Sequence, residues 1–272
     1  MQNLFNQKIP LLFSHRGGAG LFPENTLYAF QKSVDLYKAD VLELDIQATG
    51  DGELVVIHDE SVDRTTNGTG WVGEKSLKEI KKLDAGWHFS LDGGKTFPFR
   101  DKGLTIPTLK EVFEFIQSNQ VGLNIEVKRI YHNIENKLYN MIISYNLMNR
   151  VLVTSSRSSV MNRFYSINKR GIFTGADAIE GGQAFILSKI GLGALYTPKA
   201  NALQLPLVFK GTIRVISEKL VTLCKGKKVK LHVWTINETE DMKRLLDMGV
   251  DGIISDYPDR LYEVFKTYGY KD

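Results

Sequence analysis

The sequence predicts an α/β fold, and in particular a TIM-type (β/α)₈ barrel. Counted from Leu11, short apolar strands alternate with amphipathic helices about eight times, which is the number of units in such a barrel. The length of 272 residues suits one α/β barrel. No linker, repeat or low-complexity segment divides the chain, so we expect residues 1–272 to form one domain.

The first elements have clear signals. Residues 11–14 form an apolar run typical of a buried strand, and the PENT segment at Pro23 precedes a helix with apolar residues at helical spacing. Residues 41–47 form the second strand. The glycine-bearing turn at residues 49–52 folds residues 53–57 back, so we expect them to form an extra hairpin arm.

A long excursion then separates the second and third barrel strands. It includes a polar loop at Asp63 and a short helix that a capping box at Ser76 opens. Residues 85–105 show no regular periodicity, which is typical of a functional lid or excursion inside a compact domain. A second capping box, at Thr108, opens the next helix.

The rest of the chain alternates regularly. Strands are predicted at residues 121–128, 151–154, 171–174, 202–205, 229–235 and 250–255. Helices are predicted at residues 133–145, 158–168, 182–190 and 217–225, followed by one that Asn237 caps and one that Pro258 opens. A doubly wound open sheet is the alternative fold, because alternation alone does not tell whether a sheet closes.

Composition and charge exclude several classes of protein. The net charge of +4 suits a small anionic substrate but is too weak to indicate nucleic-acid binding. The single cysteine, Cys224, excludes an internal disulfide and a cysteine zinc site. Because the sequence shows neither a secretory signal nor a membrane-spanning stretch, we expect a cytoplasmic protein. The apolar run 184–195 and the lysine run 225–230 leave a peripheral membrane contact open.

Three acidic residues fall where a barrel places its active site, at the C-terminal ends of strands. Glu43 and Asp45 are two residues apart on the second strand and therefore point to one face. Glu126 lies on the third strand. Together they offer oxygen ligands to a hard cation such as Mg²⁺ or Ca²⁺, and solvated acidic side chains are the alternative.

Basic residues and histidines fall at the same end. His15 and His58 can transfer protons near neutral pH, and Arg16 can bind an anionic oxygen. Lys128 could do the same or pair only with Glu126. A cation site with two basic side chains and two histidines suits phosphoryl transfer. His232 and Trp234 alternate along a later strand, so both are expected to face inward. We expect Trp234 to form a wall of the pocket and His232 to be a satisfied core histidine.

Nine segments, in order along nearly the whole chain, resemble the glycerophosphodiester phosphodiesterase family. The segments are HRGGAG at His15, PENT at Pro23, ELDIQ at Glu43, DGELVVIHD at Asp51, DRTTNGTG at Asp63, IPTL at Ile106, NIEVK at Asn124, VWTIN at Val233 and GIISDYP at Gly252. The resemblance implies a TIM barrel with a small insertion, at about residues 60–105, after the second strand.

The resemblance also implies an activity and roles for residues. It implies a divalent cation on Glu43, Asp45 and Glu126, with His15 and His58 as the general acid and base and Arg16 and Lys128 on the phosphate. The implied products are sn-glycerol 3-phosphate and an alcohol from substrates such as glycerophosphocholine or glycerophosphoethanolamine.

Two other functions remain open from the sequence. A lysophospholipase D would use the same residues, with the phenylalanines of the excursion, Phe89, Phe97 and Phe99, along the acyl chain. A module that binds phosphodiesters without hydrolysing them is the third possibility, and the filled catalytic positions count against it.

Overall fold

The computed structural model describes residues 3–128 and 134–272. Its strands are β1 (Leu11–Ser14), β2 (Val41–Ala48), β3 (Leu54–Val56), β4 (Gly122–Val127), β5 (Val151–Thr154), β6 (Phe173–Thr174), β7 (Ala202–Pro206), β8 (Val208–Phe209), β9 (Ile213–Arg214), β10 (Lys230–Trp234) and β11 (Gly252–Ser255). Its helices are α1 (Leu27–Tyr37), α2 (Leu77–Ile80), α3 (Leu109–Ser118), α4 (Ile134–Ser144), α5 (Ser158–Ile167), α6 (Ala178–Lys189), α7 (Glu218–Lys227), α8 (Thr239–Met248) and α9 (Pro258–Thr267).

Eight parallel strands form a nearly closed barrel in the order β6-β5-β4-β2-β1-β11-β10-β7. The two end strands meet at a parallel bridge between Gly175 and Ala202, where the Ala176 N–H donates to the Ala202 carbonyl at 2.8 Å. Glycine is required at this seam, because a Cβ on Gly175 would lie 2.5 Å from Thr154 Oγ1. The predicted (β/α)₈ barrel is therefore confirmed, and the doubly wound sheet is excluded.

The second strand organises the catalytic end of the barrel. β2 pairs in parallel with β1 and β4, and β3 returns antiparallel to its far end, as the turn at residues 49–52 predicts. Alternate residues of β2 face the surrounding helices and join the main apolar core: Leu42, Leu44 and Ile46. The polar residues between them, Glu43 and Asp45, consequently face the inside of the barrel.

The excursion between β3 and α3 packs on a small apolar core of its own. Val55 and Ile57 next to β2 contact a group of buried residues from the excursion: Val62, Val72, Ile80, Ala85 and Ile106. Both predicted capping boxes are present, at Ser76 of α2 and at Thr108 of α3. Residues 85–105 contain neither helix nor strand, so this part of the excursion consists of loops.

The structure corrects some local predictions. Helix α6 begins at Ala178, four residues before the predicted start at residue 182, because Asp177 caps it by accepting the Glu180 N–H. Asn237 does not cap α8; Glu238 is the N-cap residue, and the Asn237 side chain bonds elsewhere. The predicted start of α4 at Asn133 lies outside the described residues. None of the described helices is both long and apolar enough to cross a bilayer.

Candidate active site

Three carboxylates meet at the C-terminal ends of two neighbouring strands. Asp45 on β2 is in register with Glu126 on β4, and Glu43 lies two residues earlier on the inner face. Each side chain can bring one oxygen to within 4.8 Å of the others. Glu43 is 5% and Asp45 is 1% exposed, whereas Glu126 is half-buried. The structure thus brings together the three residues that the sequence analysis proposes as metal ligands.

Within residues 3–128 and 134–272, the Glu43 carboxylate has no cationic side chain closer than 3.8 Å. It accepts the Arg16 backbone N–H at 2.9 Å, and His15 Nε2 lies 3.8 Å away. Burial, together with the neighbouring Asp45 carboxylate, raises the pKa of Glu43 to about 7. A cation nearby would stabilise the ionised form of this buried acid, because its positive charge would offset both the loss of hydration and the repulsion from Asp45.

Asp45 lies between two basic side chains. Its oxygens accept from Lys128 Nζ at 2.9 Å and from Asn25 Nδ2 at 3.0 Å, and Arg16 Nε lies 3.3 Å away. Burial alone would raise the pKa of this carboxyl, but Lys128 and Arg16 outweigh it and hold the pKa below its ordinary value. Lys128 also contacts Glu126 at 2.7 Å, so its ammonium group bridges two of the three acids.

His15 is held by a carboxylate from the opposite end of the chain. Its Nδ1 lies 2.6 Å from Asp256 Oδ1, in the loop after β11, and Asn237 Nδ2 donates to the second oxygen of Asp256 at 2.8 Å. Burial lowers the pKa of His15, yet the carboxylates of Glu43 and Asp256 outweigh burial and raise it overall. With Nδ1 engaged, Nε2 is the ring nitrogen on the side of Glu43, at 3.8 Å.

His58 has the same kind of support on the other side of the cluster. Its Nδ1 lies 2.6 Å from Asp59 Oδ1, and Arg64 Nε donates to the second oxygen of Asp59 at 2.6 Å. The Gln47 side chain donates to the His58 carbonyl at 3.0 Å, which ties the loop to the end of β2. Both histidines therefore lie near the acidic cluster, His15 beside Glu43 and His58 close enough for its charge to act on Asp45, and each has Nδ1 on an aspartate.

A chain of ion pairs connects the two sides. Glu24 accepts from Arg16 Nη1 at 3.0 Å and from both Nη atoms of Arg64, at 2.7 and 2.8 Å. Since Arg64 also holds Asp59, the excursion is fastened directly to the site. Arg16 (φ 50°) and Asn25 (φ 56°) adopt the left-handed backbone conformation, which is uncommon for residues other than glycine and concentrates at functional sites.

The donor set fits a hard divalent cation. Three carboxylates are the kind of oxygen ligands that Mg²⁺ and Ca²⁺ take in proteins. One of them, Glu43, has a raised pKa and, among the described residues, no cationic side chain nearer than His15 Nε2 at 3.8 Å. Glu43, Asp45 and Glu126 would hold the cation. Arg16 and Lys128 lie beside the cluster, where they already contact Asp45 and can turn toward an anionic substrate.

The two aromatic residues on β10 differ in position. Trp234 is 42% exposed at the C-terminal end of the strand. His232 is fully buried inside the barrel, where its ring lies 4.6 Å from the ring of Phe13 and its Nδ1 lies 3.3 Å from Gln204 Nε2. Its Nε2 has no hydrogen-bond partner within residues 3–128 and 134–272, so the prediction of a satisfied core histidine is confirmed for the core position and for Nδ1 but is wrong for Nε2. Burial lowers the pKa of His232 to about 4, and the ring is neutral.

Sequence reasoning missed several polar residues of the site. Gln47 shares the two-residue spacing of Glu43 and Asp45, and that spacing alone would have placed it on the same face. Glu24 and Asn25 lie in the PENT segment, which gave no local signal for their contacts with Arg16 and Asp45.

Comparisons with known proteins agree on one family. Residues 15–260 match the model of the Glycerophosphoryl diester phosphodiesterase family. A glycerophosphodiester phosphodiesterase of Caldanaerobacter subterraneus subsp. tengcongensis is 41% identical over 95% of this chain and 99% of the relative.

Solved structures give the same answer for the fold. The glycerophosphoryl diester phosphodiesterase domain of an uncharacterized Mycobacterium tuberculosis protein superposes with a TM-score of 0.82 at 19% identity, covering 95% of this chain and 99% of that domain. An Oleispira antarctica phosphodiesterase, solved in complex with the product sn-glycerol-3-phosphate, superposes with a TM-score of 0.73 at 25% identity. That comparison covers 95% of this chain and 97% of the other.

Proposed function

The chain belongs to the glycerophosphoryl diester phosphodiesterase family, and we propose that it hydrolyses glycerophosphodiesters to sn-glycerol 3-phosphate and an alcohol. The observation that carries this proposal is the acidic cluster of Glu43, Asp45 and Glu126 near two histidines, each held by an aspartate. We propose that residues 1–272 act as one catalytic domain of this kind.

Cleavage of the P–O bond to the alcohol requires two proton transfers. A base takes a proton from the attacking oxygen, and an acid gives one to the leaving alkoxide. Overall one water is consumed, and the products are sn-glycerol 3-phosphate and the alcohol. We assign these roles to His15 and His58. The aspartate on each Nδ1 holds the ring in one orientation and leaves Nε2 to exchange the proton with the substrate.

The phosphate needs positive charge around it in the transition state. Arg16 and Lys128, which contact different oxygens of Asp45, can supply it, and we propose that both bind the non-bridging oxygens. A divalent cation on Glu43, Asp45 and Glu126 would add charge neutralisation of the phosphate and orientation of the attacking oxygen. We propose Mg²⁺ or Ca²⁺, the two ions that favour an all-oxygen donor set.

Trp234 is the residue that we propose to contact the substrate carbons. It stands half-exposed at the rim of the barrel, where an indole ring can cover the apolar edge of the glycerol unit.

Packing within the excursion favours a small substrate over a lysophospholipid. Phe99 makes edge contacts with Phe89 at 5.4 Å and with Tyr28 at 5.2 Å, measured between ring centroids. Phe97 lies under the guanidinium of Arg100, at 3.5 Å. Because all three predicted phenylalanines already pack against neighbours, they do not form a ready groove for an acyl chain.

A substrate comparison tests the proposed function. Release of sn-glycerol 3-phosphate from glycerophosphocholine should exceed release of lysophosphatidic acid from lysophosphatidylcholine, both measured with Mg²⁺ and with Ca²⁺. The reverse order would assign the protein as a lysophospholipase D. Binding of either compound without product would leave only the binding-module function. The cytoplasmic location expected from the sequence stays a prediction, which cell fractionation tests.

A further inference from the structure

A short ribbon rises from the catalytic end of the barrel. Directly after β7, β8 (Val208–Phe209) pairs antiparallel with β9 (Ile213–Arg214), and residues 210–212 form the turn. The Leu207 N–H donates to the Trp234 carbonyl at 3.3 Å, and the Val215 N–H donates to the Leu207 carbonyl at 3.0 Å. These bonds fasten the β8–β9 ribbon, residues 208–214, to the strand end that carries Trp234.

The ribbon exposes apolar side chains that a small water-soluble element would normally bury. Val208 is 39%, Phe209 is 50% and Ile213 is 40% exposed. Trp234, which is 42% exposed, adjoins the base of the ribbon. Phe209 and Ile213 pair across the ribbon and share one face, whereas Val208 points to the other face, so the ribbon exposes apolar side chains on both faces. Exposed apolar surface of this kind on soluble proteins marks interaction sites.

The charge of the ribbon is entirely positive. Lys210 and Arg214 are its charged residues, and no acidic oxygen lies within 4.0 Å of either among the residues that the structure describes. Lys210 Nζ instead lies 5.5 Å from the centre of the Phe209 ring. The surrounding stretch, residues 181–217, contains no aspartate or glutamate at all, although it includes four basic residues. An acidic partner would complement this surface.

The ribbon lies beside the mouth of the barrel, so a partner bound to the ribbon would lie over this mouth. In the barrel order, β7 stands opposite β2, which bears the excursion. The mouth of the barrel, with the acidic cluster below it, therefore opens between the ribbon on one side and the excursion on the other. A flat surface in contact with the ribbon tip would face this mouth.

We propose that the β8–β9 ribbon docks the catalytic end of the barrel on an anionic phospholipid surface. Val208, Phe209 and Ile213 enter the boundary between headgroups and acyl chains, and Lys210 and Arg214 contact acidic headgroups. A second copy of this chain is a poorer occupant, because two ribbons face to face would bring four cations together without an acidic partner on either ribbon. The proposal concerns binding only, and it stands or falls independently of the proposed hydrolysis.

Sedimentation with vesicles tests the proposal on the full chain. One set of vesicles contains phosphatidylcholine and phosphatidylglycerol in equal parts, and the other contains phosphatidylcholine alone. The wild-type chain should sediment with the anionic vesicles and much less with the neutral ones. Lys210→Ala combined with Arg214→Ala should lower partitioning onto anionic vesicles by about 25-fold, since each basic residue near such a surface contributes a factor of about five. Phe209→Ser combined with Ile213→Ser should lower it by at least about tenfold.

Helix α6 offers a matched control. Ile186 on α6 and Ile190, its C-cap residue, are 56% and 59% exposed, so Ile186→Ser combined with Ile190→Ser removes two exposed apolar side chains from the outside of the barrel. This control should sediment like the wild-type chain. Each ribbon variant should keep the wild-type midpoint of thermal unfolding, which shows that its fold is intact.

Three results would overturn the proposal. Failure of the wild-type chain to sediment with anionic vesicles would show that the ribbon does not bind a phospholipid surface. Equal sedimentation with both kinds of vesicle would contradict the role of Lys210 and Arg214. Loss of binding in the α6 control, with binding retained in the ribbon variants, would move the contact to the helix. Because none of these assays measures turnover, they leave the proposed hydrolysis untouched.

Discussion

The substitution Asp256→Asn tests whether Asp256 acts by orienting the His15 ring or only by adding a negative charge to the site. In the wild-type chain, Asp256 accepts from His15 Nδ1 at 2.6 Å with one oxygen and from Asn237 Nδ2 at 2.8 Å with the other. Asn237 cannot turn around, because its own oxygen already accepts the Asp256 N–H at 3.0 Å and the Ser255 hydroxyl at 3.2 Å. An asparagine at position 256 can therefore satisfy only one of its two neighbours.

Either orientation of the new amide harms the site. If its oxygen faces His15, its NH₂ group opposes the NH₂ group of Asn237. If its NH₂ group faces His15, the proton of the imidazole moves to Nε2, which is the wrong tautomer for a base directed at the substrate. General acid–base catalysis contributes about 10²–10⁴ in rate, and we expect kcat to fall by a factor in that range while KM changes little.

The pH dependence supplies a second readout. Asp256 helps to raise the pKa of His15, so its loss should move the ionisation of that histidine to lower pH. Asp251→Asn is the control: Asp251 stands at the other end of β11, has a side chain 25% exposed against 24% for Asp256, and pairs with Lys230. The Asp251→Asn variant should be less stable than the wild-type chain, because it loses the ion pair with Lys230, but it should keep the wild-type kcat. A fall in kcat of Asp256→Asn no larger than that of Asp251→Asn would refute the positioning role.

Three further predictions concern the metal site, the barrel and the thiol. Glu126→Gln should raise the metal concentration for half-maximal rate by at least about tenfold, and an unchanged metal dependence would remove Glu126 from the ligand set. Gly252→Ala should lower the free energy of unfolding by about 1–3 kcal/mol in a denaturant titration, because the new Cβ would lie 2.6 Å from Phe13 Cε2; wild-type stability would contradict the tight packing. Burial raises the pKa of Cys224 to about 12, so the folded protein should resist thiol reagents at mildly alkaline pH until it is denatured, and rapid labelling of the native chain would show that the helix opens.

The fold was predictable because each strand and helix of the barrel has a local periodicity. β5 begins and ends at the predicted residues, and both capping boxes lie where their spacing indicates. The early start of α6 also had a local signal, since Asp177 and Glu180 have the spacing of a helix N-terminus before the glycine pair that obscures it. The β8–β9 ribbon was not predicted, because two-residue strands have no recognisable period.

The site was predictable where it follows strand geometry. Glu43 and Asp45 share a face by spacing alone, and the parallel register of β2 and β4 brings Glu126 beside them. The predicted cap Asn237 failed for the opposite reason. Its side chain bonds the loop after β11, and such a tertiary contact outweighs a local capping preference without leaving a pattern in the sequence.

The supports of His58 also depend on loops that meet only in the folded chain. Arg64 reaches Glu24 across 40 residues of sequence and fastens the excursion to the loop after β1. No period or motif predicts such a contact, although both residues lie within segments that resemble the family. The resemblance indicated that these segments belong to the family pattern. The structure shows that Arg64 connects Asp59, which holds His58, to Glu24.

Metal dependence is the most direct test of the central claim, that Glu43, Asp45 and Glu126 hold a cation needed for hydrolysis of a phosphodiester. The measurement is release of sn-glycerol 3-phosphate from glycerophosphocholine by protein treated with EDTA, then supplemented with Mg²⁺ or Ca²⁺. We predict no release in EDTA and recovery with at least one of the two ions, while Asp45→Asn stays inactive at every metal concentration. Full activity in EDTA would contradict the account, because hydrolysis would then proceed without a cation on the acidic cluster.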